Sequence, residues 1–318
     1  MNRKQLGKSD LHVSPICLGG NVFGWTIDES ASFQVLDAFV EAGCNFIDTA
    51  DVYSRWKPGN KGGESETIIG NWLKRSGGRE KVVIATKVGS DMGKGEGKTL
   101  RKDYILKEAD ESLKRLQTDY IDLYQTHYDD TSLPVEEALE AYHQLVKMGK
   151  VISIGTSNMS AERLLQSLEV SERDGFPRYQ TLQPEYNLYD RQDFEENYQQ
   201  ICLDNNVDVI NYYSLASGFL TGKYRNENDL NKSQRGQGIK KYLNERGFKI
   251  LSALDEVAER YHTTPATVSL AWLMVQPAVV APIASATSIQ QLQSLTAAAE
   301  LQLDKDALDL LTSASDWK

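Results

Sequence analysis

The chain has 318 residues, 40% hydrophobic and 25% charged, enough for a large buried core. Its formal net charge of −10 disfavours nonspecific binding to nucleic acid or to an anionic membrane surface. Three scattered cysteines, Cys17, Cys44 and Cys202, make neither a disulfide framework nor a metal-ligand cluster, and fit a reducing compartment.

The N-terminal stretch MNRKQLGKSD lacks the long apolar segment of a signal peptide. The most apolar later stretch, residues 270–286, is broken by Gln276, Pro277 and Pro282, so it does not read as a membrane span. The expectation is a cytoplasmic protein with neither a nucleic-acid nor a membrane partner. Its oligomeric state is not legible.

Taken in order, residues 2–13 predict a small hairpin turning at Gly7-Lys8-Ser9-Asp10. Residues 16–18 read as a buried strand ending in Gly19-Gly20-Asn21. Residues 28–42 have helical spacing of Phe33, Leu36, Phe39 and Val40, with Asp28 as N-cap and Gly43 as stop. The stretch NFIDTADVY (45–53) is a short apolar strand that empties at Asp48 into a loop carrying Tyr53.

The alternation then continues. Helices are expected at 65–74, 101–117, 135–148, 161–172 and 194–205. Strands are expected at 82–87, 121–127, 151–155, 181–187 and 208–213. A polar segment, 226–247, interrupts the pattern. Helices at 248–261 and 265–275 follow, the second with Thr264 as N-cap and Pro265 at its first position. A last strand at 279–283 precedes helices at 289–299 and 306–312.

Eight apolar strands, each followed by a helix, predict a (β/α)8 TIM barrel with an N-terminal β-hairpin and additional C-terminal helices. A doubly wound sheet is the alternative, but Leu18-Gly19-Gly20-Asn21 does not fit the GxGxxG fingerprint. No linker composition divides the chain, so a single domain over residues 1–318 is expected.

Chemistry in such a barrel sits at the C-terminal strand ends. Strand two ends in Asp48 with Tyr53 in its loop, strand three ends in Lys87 and strand four in His127. A loop-capping Asp, a snorkelling Lys and a packed His are each ordinary alone; at matching positions of consecutive units they are hard to explain as packing.

A phenol is a poor acid at neutral pH, and an adjacent ammonium is expected to lower its pKa. A carboxylate holds that ammonium charged, and an imidazole across the pocket orients a substrate oxygen. Tyr53 as proton donor, Lys87 as tuner, Asp48 as counter-charge and His127 as orienter suit protonation of a carbonyl oxygen. The hydride for the carbon must come from a nicotinamide cofactor. No metal is expected, since none of His12, His127, His143 and His262 pairs with carboxylates at ligand spacing.

The motifs LGGNVFG, GCNFIDTADVYS, GESE, ATK, DYIDLYQTH, GTSN, QPEYN, LASGFLTGKY and PIASATS run nearly end to end. Together they resemble the aldo-keto reductase superfamily, whose Asp, Tyr, Lys and His tetrad falls on Asp48, Tyr53, Lys87 and His127. The resemblance implies NADP(H) as the favoured cofactor, with NAD(H) as the alternative, and a small-molecule carbonyl substrate.

The same resemblance puts Ser157, Asn158 and Gln183 against the nicotinamide carboxamide and Tyr212 beneath its ring. It assigns Gly20 and Asp48 to the same site. Tyr213, Ser214, Leu215, Ser217, Gly218 and Lys223 belong to a run that wraps the pyrophosphate. Ser285, Thr287 and Gln291 match the adenosine-phosphate loop. Thr287 stands where relatives often carry Arg, and Leu295 where an Asn is common; Arg235 in the polar segment is the candidate replacement cation. Asn211 and Ser214 replace prolines, implying a looser turn.

Phe23, Trp25, Trp56 and Tyr128 are expected to line the substrate pocket, with the loop 54–63 forming part of its wall. The competing function is a cofactor-binding regulatory subunit with little turnover.

Overall fold

The computed structural model describes residues 2–93, 95–233 and 236–318. Strands β1 (Lys4–Gln5) and β2 (His12–Val13) pair antiparallel as the hairpin. Strand β3 (Cys17–Gly19) leads to helix α1 (Glu29–Glu41), where the Asp28 carboxylate accepts from the Ala31 N–H as the spacing predicted. Next come β4 (Phe46–Asp48) and α2 (Glu64–Ser76), then β5 (Val83–Val88) and α3 (Lys102–Leu116). They are followed by β6 (Ile121–Thr126) and α4 (Val135–Lys147), then β7 (Val151–Ser157) and α5 (Ala161–Asp174).

After β8 (Tyr179–Gln183) the expected single helix is two, α6 (Gln192–Asn197) and α7 (Gln199–Asn205), broken where Tyr198 leaves helical geometry at φ −122°. Strand β9 (Asp208–Val209) is short. The polar segment forms 3₁₀ turns at Glu227–Lys232 and Gly236–Tyr242; Asn226 and Asp229 make a reciprocal capping box on the first. Helices α8 (Glu245–Arg260) and α9 (Pro265–Met274), strand β10 (Ile283–Ala284), and helices α10 (Ile289–Ala297) and α11 (Lys305–Ala314) complete the fold.

The eight strands from β3 to β10 pair in parallel, with β10 beside β3. Three hydrogen bonds close the ring on the other side: Val209 N to Ala278 O at 2.8 Å, Val280 N to Val209 O at 2.9 Å and Ile283 N to Asn211 O at 2.9 Å. The result is the expected (β/α)8 barrel. β8 is shorter than predicted because Pro184 has no N–H to continue the ladder. β9 is also shorter than predicted, although Ile210 N still donates to Leu182 O at 3.1 Å and Tyr212 N to Pro184 O at 2.9 Å before the left-handed turn at Tyr213 (φ 53°).

One apolar cluster lies between the strands and the helices. A second fills the barrel axis with Cys17, Phe46, Val83, Leu123, Ile210 and Ile283, and joins Leu6, Leu11 and Val13 of the hairpin. The hairpin therefore plugs the N-terminal end of the barrel, where Gly7 N donates to Asp208 Oδ2 at 2.6 Å and Lys8 N to Gln180 Oε1 at 2.7 Å. With that end closed, a cleft opens at the C-terminal end. Gly155 is required inside: a Cβ there would come within 2.2 Å of Thr181 Oγ1. All three cysteines are buried.

Candidate active site

The in-register pairing of β3 to β8 brings the strand-end residues together. Gly19 lies beside Asp48, Lys87 beside Gln125, and Ser157 beside Gln183. Lys87 is fully buried, and its ammonium donates to three acceptors: Asp48 Oδ2 at 2.6 Å, the Thr49 carbonyl at 2.8 Å and the Tyr53 hydroxyl at 2.9 Å. An ammonium has three N–H donors, so all are engaged and its position is locked. Asp48 Oδ2 also accepts from the Tyr53 hydroxyl at 3.2 Å. Its Oδ1 accepts from Gln183 Nε2 at 3.0 Å and Gln125 Nε2 at 3.3 Å. The buried carboxylate is thus satisfied on both oxygens, as a buried charge must be.

His127 closes the group. Its ring lies 6.0 Å from that of Tyr53, edge to face, and stacks on Tyr128 at 5.0 Å. The buried Nδ1 has no hydrogen-bond partner among the described residues. Burial pushes the imidazole well below its ordinary value of 6.5, and the charges of Lys87 and Lys98 push the same way. The ring is therefore neutral at physiological pH and has one N–H to give.

Tyr53 corrects one expectation. Its phenol lies well above its ordinary value of 10.0, not below, because burial and then the Asp48 charge disfavour the phenolate. The neighbouring ammonium does not overcome those two effects. The hydroxyl is consequently a protonated group at rest.

These residues border a cleft of about 1150 Å³ at the C-terminal end of the barrel. Asp48, Tyr53 and His127 line it, and Lys87 lies beneath. Ser157, Asn158, Gln183 and Tyr212 line the adjoining wall. They are linked: Ser157 Oγ donates to Gln183 O at 2.8 Å, Asn158 Nδ2 to His127 O at 2.8 Å, and the Tyr212 hydroxyl to Asn158 Oδ1 at 3.3 Å. Side-chain amides and hydroxyls beside a tyrosine ring are a donor and acceptor set that fits a flat carboxamide-bearing ring.

Further along, Tyr213, Ser214, Leu215, Ser217, Gly218 and Lys223 line the cleft, as do Ser285, Thr287 and Gln291 beyond them. Ser217 (φ 56°) and Gly218 (φ 99°) are left-handed, which interrupts the helical run Ala216–Thr221. Main-chain groups on such backbone, with the Lys223 ammonium, fit a diphosphate. Gln291 Oε1 accepts from both Thr287 N at 2.9 Å and Thr287 Oγ1 at 3.1 Å. The turn at Asn211 and Ser214 is tied rather than loose: Asn211 Nδ2 donates to Tyr186 O at 2.7 Å and to Ser214 Oγ at 3.0 Å.

Several expectations change. Gly20 is a packing glycine, since a Cβ there would meet Ser65 Oγ at 2.9 Å and the Asp48 carbonyl at 3.0 Å; its neighbour Gly19 lines the cleft instead. Phe23 is fully buried in the core and does not reach the cleft. Trp25 stands behind the wall, edge-on to Trp56 at 5.5 Å, while Trp56 and Tyr128 line it. Arg235 lies outside the described residues.

Residues not anticipated from sequence include Gln125, Arg55, Asp91, Lys232 and Ser233. Gln125 had a signal, a buried amide inside the apolar strand IDLYQT. The others sit on loops whose course no local pattern specifies.

Among the described residues no group of three or more His, Cys, Asp or Glu could hold a metal ion. No helix among them is long and apolar enough to cross a membrane.

Comparison with known proteins agrees with this architecture. The Aldo/keto reductase family matches residues 15–316. An uncharacterized oxidoreductase of Bacillus subtilis, YrpG, is 34% identical over 98% of this chain and 95% of its own length. Protein tas of Escherichia coli is 31% identical over 97% of this chain and 96% of its own. Aldo-keto reductase YhdN of Bacillus subtilis is 34% identical over 88% and 81% respectively. The chain belongs to the aldo/keto reductase family. Family and fold together support an NAD(P)H-dependent oxidoreductase acting on carbonyl or alcohol groups.

Proposed function

We propose that the protein, acting as one barrel domain over residues 1–318, reduces aldehydes or ketones to alcohols, with NADP(H) the preferred cofactor and Tyr53 the proton donor. The observation that carries this is the ammonium of Lys87 bridging Asp48 Oδ2 and the Tyr53 hydroxyl at the floor of the cleft. When bound, the reduced nicotinamide supplies a hydride to the carbonyl carbon.

Everything else falls to this chain's side chains. Negative charge that develops on the carbonyl oxygen is relieved by a proton from Tyr53. Because its phenol is held above its ordinary value, Tyr53 carries that proton at any physiological pH. As the proton leaves, the phenolic oxygen keeps the Lys87 hydrogen bond, and a positive charge already locked in place costs no reorganisation. Asp48 acts through Lys87, offsetting the cost of burying an ammonium. His127, neutral, donates its N–H to the substrate oxygen and holds it near Tyr53.

Ser157, Asn158 and Gln183 would hold the carboxamide, Tyr212 the ring face, and Lys223 the diphosphate. Ser285, Thr287 and Gln291 would border the adenosine end. Arg235 remains the candidate cation for a cofactor phosphate there, and Lys232, which also lines the cleft and pairs with Asp229 at 2.8 Å, would add a second.

The test is NADPH oxidation by the purified chain with a panel of aldehydes and ketones. Tyr53→Phe should lower kcat by about 10²-fold to 10⁴-fold while NADPH binding, read by protein fluorescence, stays within twofold (about 0.4 kcal/mol). Equal loss of binding and turnover would remove Tyr53 from the proton-donor role.

A further inference from the structure

The substrate end of the cleft is basic in an acidic protein. The chain has 45 Asp and Glu against 35 Lys and Arg, yet residues 54–63 hold Arg55, Lys57 and Lys61 and no acid. Elsewhere on the surface, arginines are neutralised: Arg75 by Asp37, Arg173 by Asp174 and Arg225 by Asp255. Arg55 is not. It lines the cleft beside Trp56, and its guanidinium donates to the main-chain oxygen of Asp91 at 3.2 Å, which cancels no charge.

A second cation stands on the ring of Tyr128, which lines the same cleft. Lys98 Nζ lies 3.7 Å from the centroid of the Tyr128 ring, which in turn stacks on His127. A ring face steadies an ammonium while leaving its N–H donors available. Neither Arg55 nor Lys98 has an ion-pair partner among the described residues. The charge of Lys98 reaches as far as His127, adding to the depression of the imidazole.

The acids nearby are held by their own loops: Asp91 lines the cleft and accepts from the Gly93 N–H at 2.7 Å, Asp130 accepts from the Leu100 N–H at 3.3 Å, both keeping their charge, and Glu96 pairs with Arg101 at 3.7 Å. The wall is aromatic: Trp56, 47% exposed and edge-on to Tyr53, lines the cleft with Tyr128. Asn60 fixes that wall by donating to both Gly24 O at 3.1 Å and Ser54 O at 2.9 Å.

We propose that the carbonyl substrate is an aromatic aldehyde or ketone carrying a carboxylate remote from its carbonyl, received by Arg55 and Lys98 at the rim. This rests on the reductase assignment above and adds the substrate class. The guanidinium fork matches a carboxylate, and the aromatic wall matches the ring that carries it. The carbonyl then lies inward, towards Tyr53 and His127.

The experiment compares 4-carboxybenzaldehyde with 4-methylbenzaldehyde on the full chain at saturating NADPH. The charged aldehyde should have the lower KM, by about tenfold at low salt, and the advantage should shrink as salt screens the rim. Arg55→Gln and Lys98→Gln should each cut the ratio of the two KM values by about threefold to fivefold, and the double variant should bring it near one.

A ratio near one in the parent, or one unmoved by both substitutions, overturns the proposal. If neither aldehyde is reduced, it is the reductase assignment that fails. The substrate class is then decided by fluorescence titration with the same two aldehydes, which needs no turnover. Tighter binding of the charged one, lost in R55Q and K98Q, supports the proposal; equal binding refutes it.

Discussion

The two halves of the cleft are made of different material. At the chemical half, Asp48, Lys87, Gln125 and Gln183 stand on four strands of one sheet, and their polar atoms satisfy one another at 2.6–3.3 Å. At the other half, the segment from Tyr213 to Lys223 is irregular, with left-handed residues at Tyr213, Ala216, Ser217 and Gly218. Strand pairing spends main-chain hydrogen bonds on fixing side chains, which suits groups that must meet reacting atoms within a fraction of an ångström. Irregular backbone turns some N–H groups back on itself, Ala216 N to Tyr213 O and Gly218 N to Leu215 O, and keeps the Lys223 ammonium in the cleft beside it, which suits an extended anionic ligand. Rigidity belongs to the chemistry and adaptable polarity to the grip.

That contrast breaks most visibly at Lys87. Lys87→Met should lower kcat by about 10³-fold or more and also cost about 3–5 kcal/mol of stability, because Asp48 is left buried with its principal counter-charge gone. Steady-state kinetics with urea denaturation read both. Loss of activity with unchanged stability would mean that the chemical half is not the interlocked unit described above.

His127 sharpens the contrast through pH. Its folded-state pKa is depressed below 6.5, so below that pH the unfolded chain takes up a proton that the folded protein refuses. The stability contribution is present above pH 6.5 and is lost as pH falls through the window beneath it, by at most about 1.4 kcal/mol per pH unit. His127→Gln should flatten that part of the stability profile relative to the parent. Identical slopes in urea melts between pH 6.5 and 5 (about 1.5 units, the range in which free histidine titrates) would show that the ring is not desolvated.

The smallest effect is expected in the grip. Lys232→Ala should raise the KM for NADPH by about fivefold at most, with kcat nearly unchanged and the KM for NADH unmoved. A parallel rise for NADH would place Lys232 away from the phosphate that distinguishes the two cofactors.

The sequence made the chemical half legible because its signals are local. NFIDTADVY, the strand ending in Lys87 and the strand ending in His127 each declare an ionisable group at the close of an apolar run, and a repeating βα unit puts successive closes side by side. The capping of α1 by Asp28 and of α9 by Thr264 was readable for the same reason. The break at Tyr198 and the early end of β9 were not, because no local pattern of residues marks either.

The sequence by itself determined the order of strands and helices, the family resemblance, and which four residues the consecutive strand ends bring together. Only the tertiary structure decided that Phe23 is buried in the core rather than in the pocket, and that Gly20 packs while Gly19 lines the cleft. It also decided that Gln125 braces Asp48 and that, among the described residues, neither Arg55 nor Lys98 meets an ion-pair partner. The direction in which Tyr53 shifts belongs with these. Periodicity is a property of neighbours along the chain, whereas burial and electrostatic balance sum over residues brought from everywhere in it.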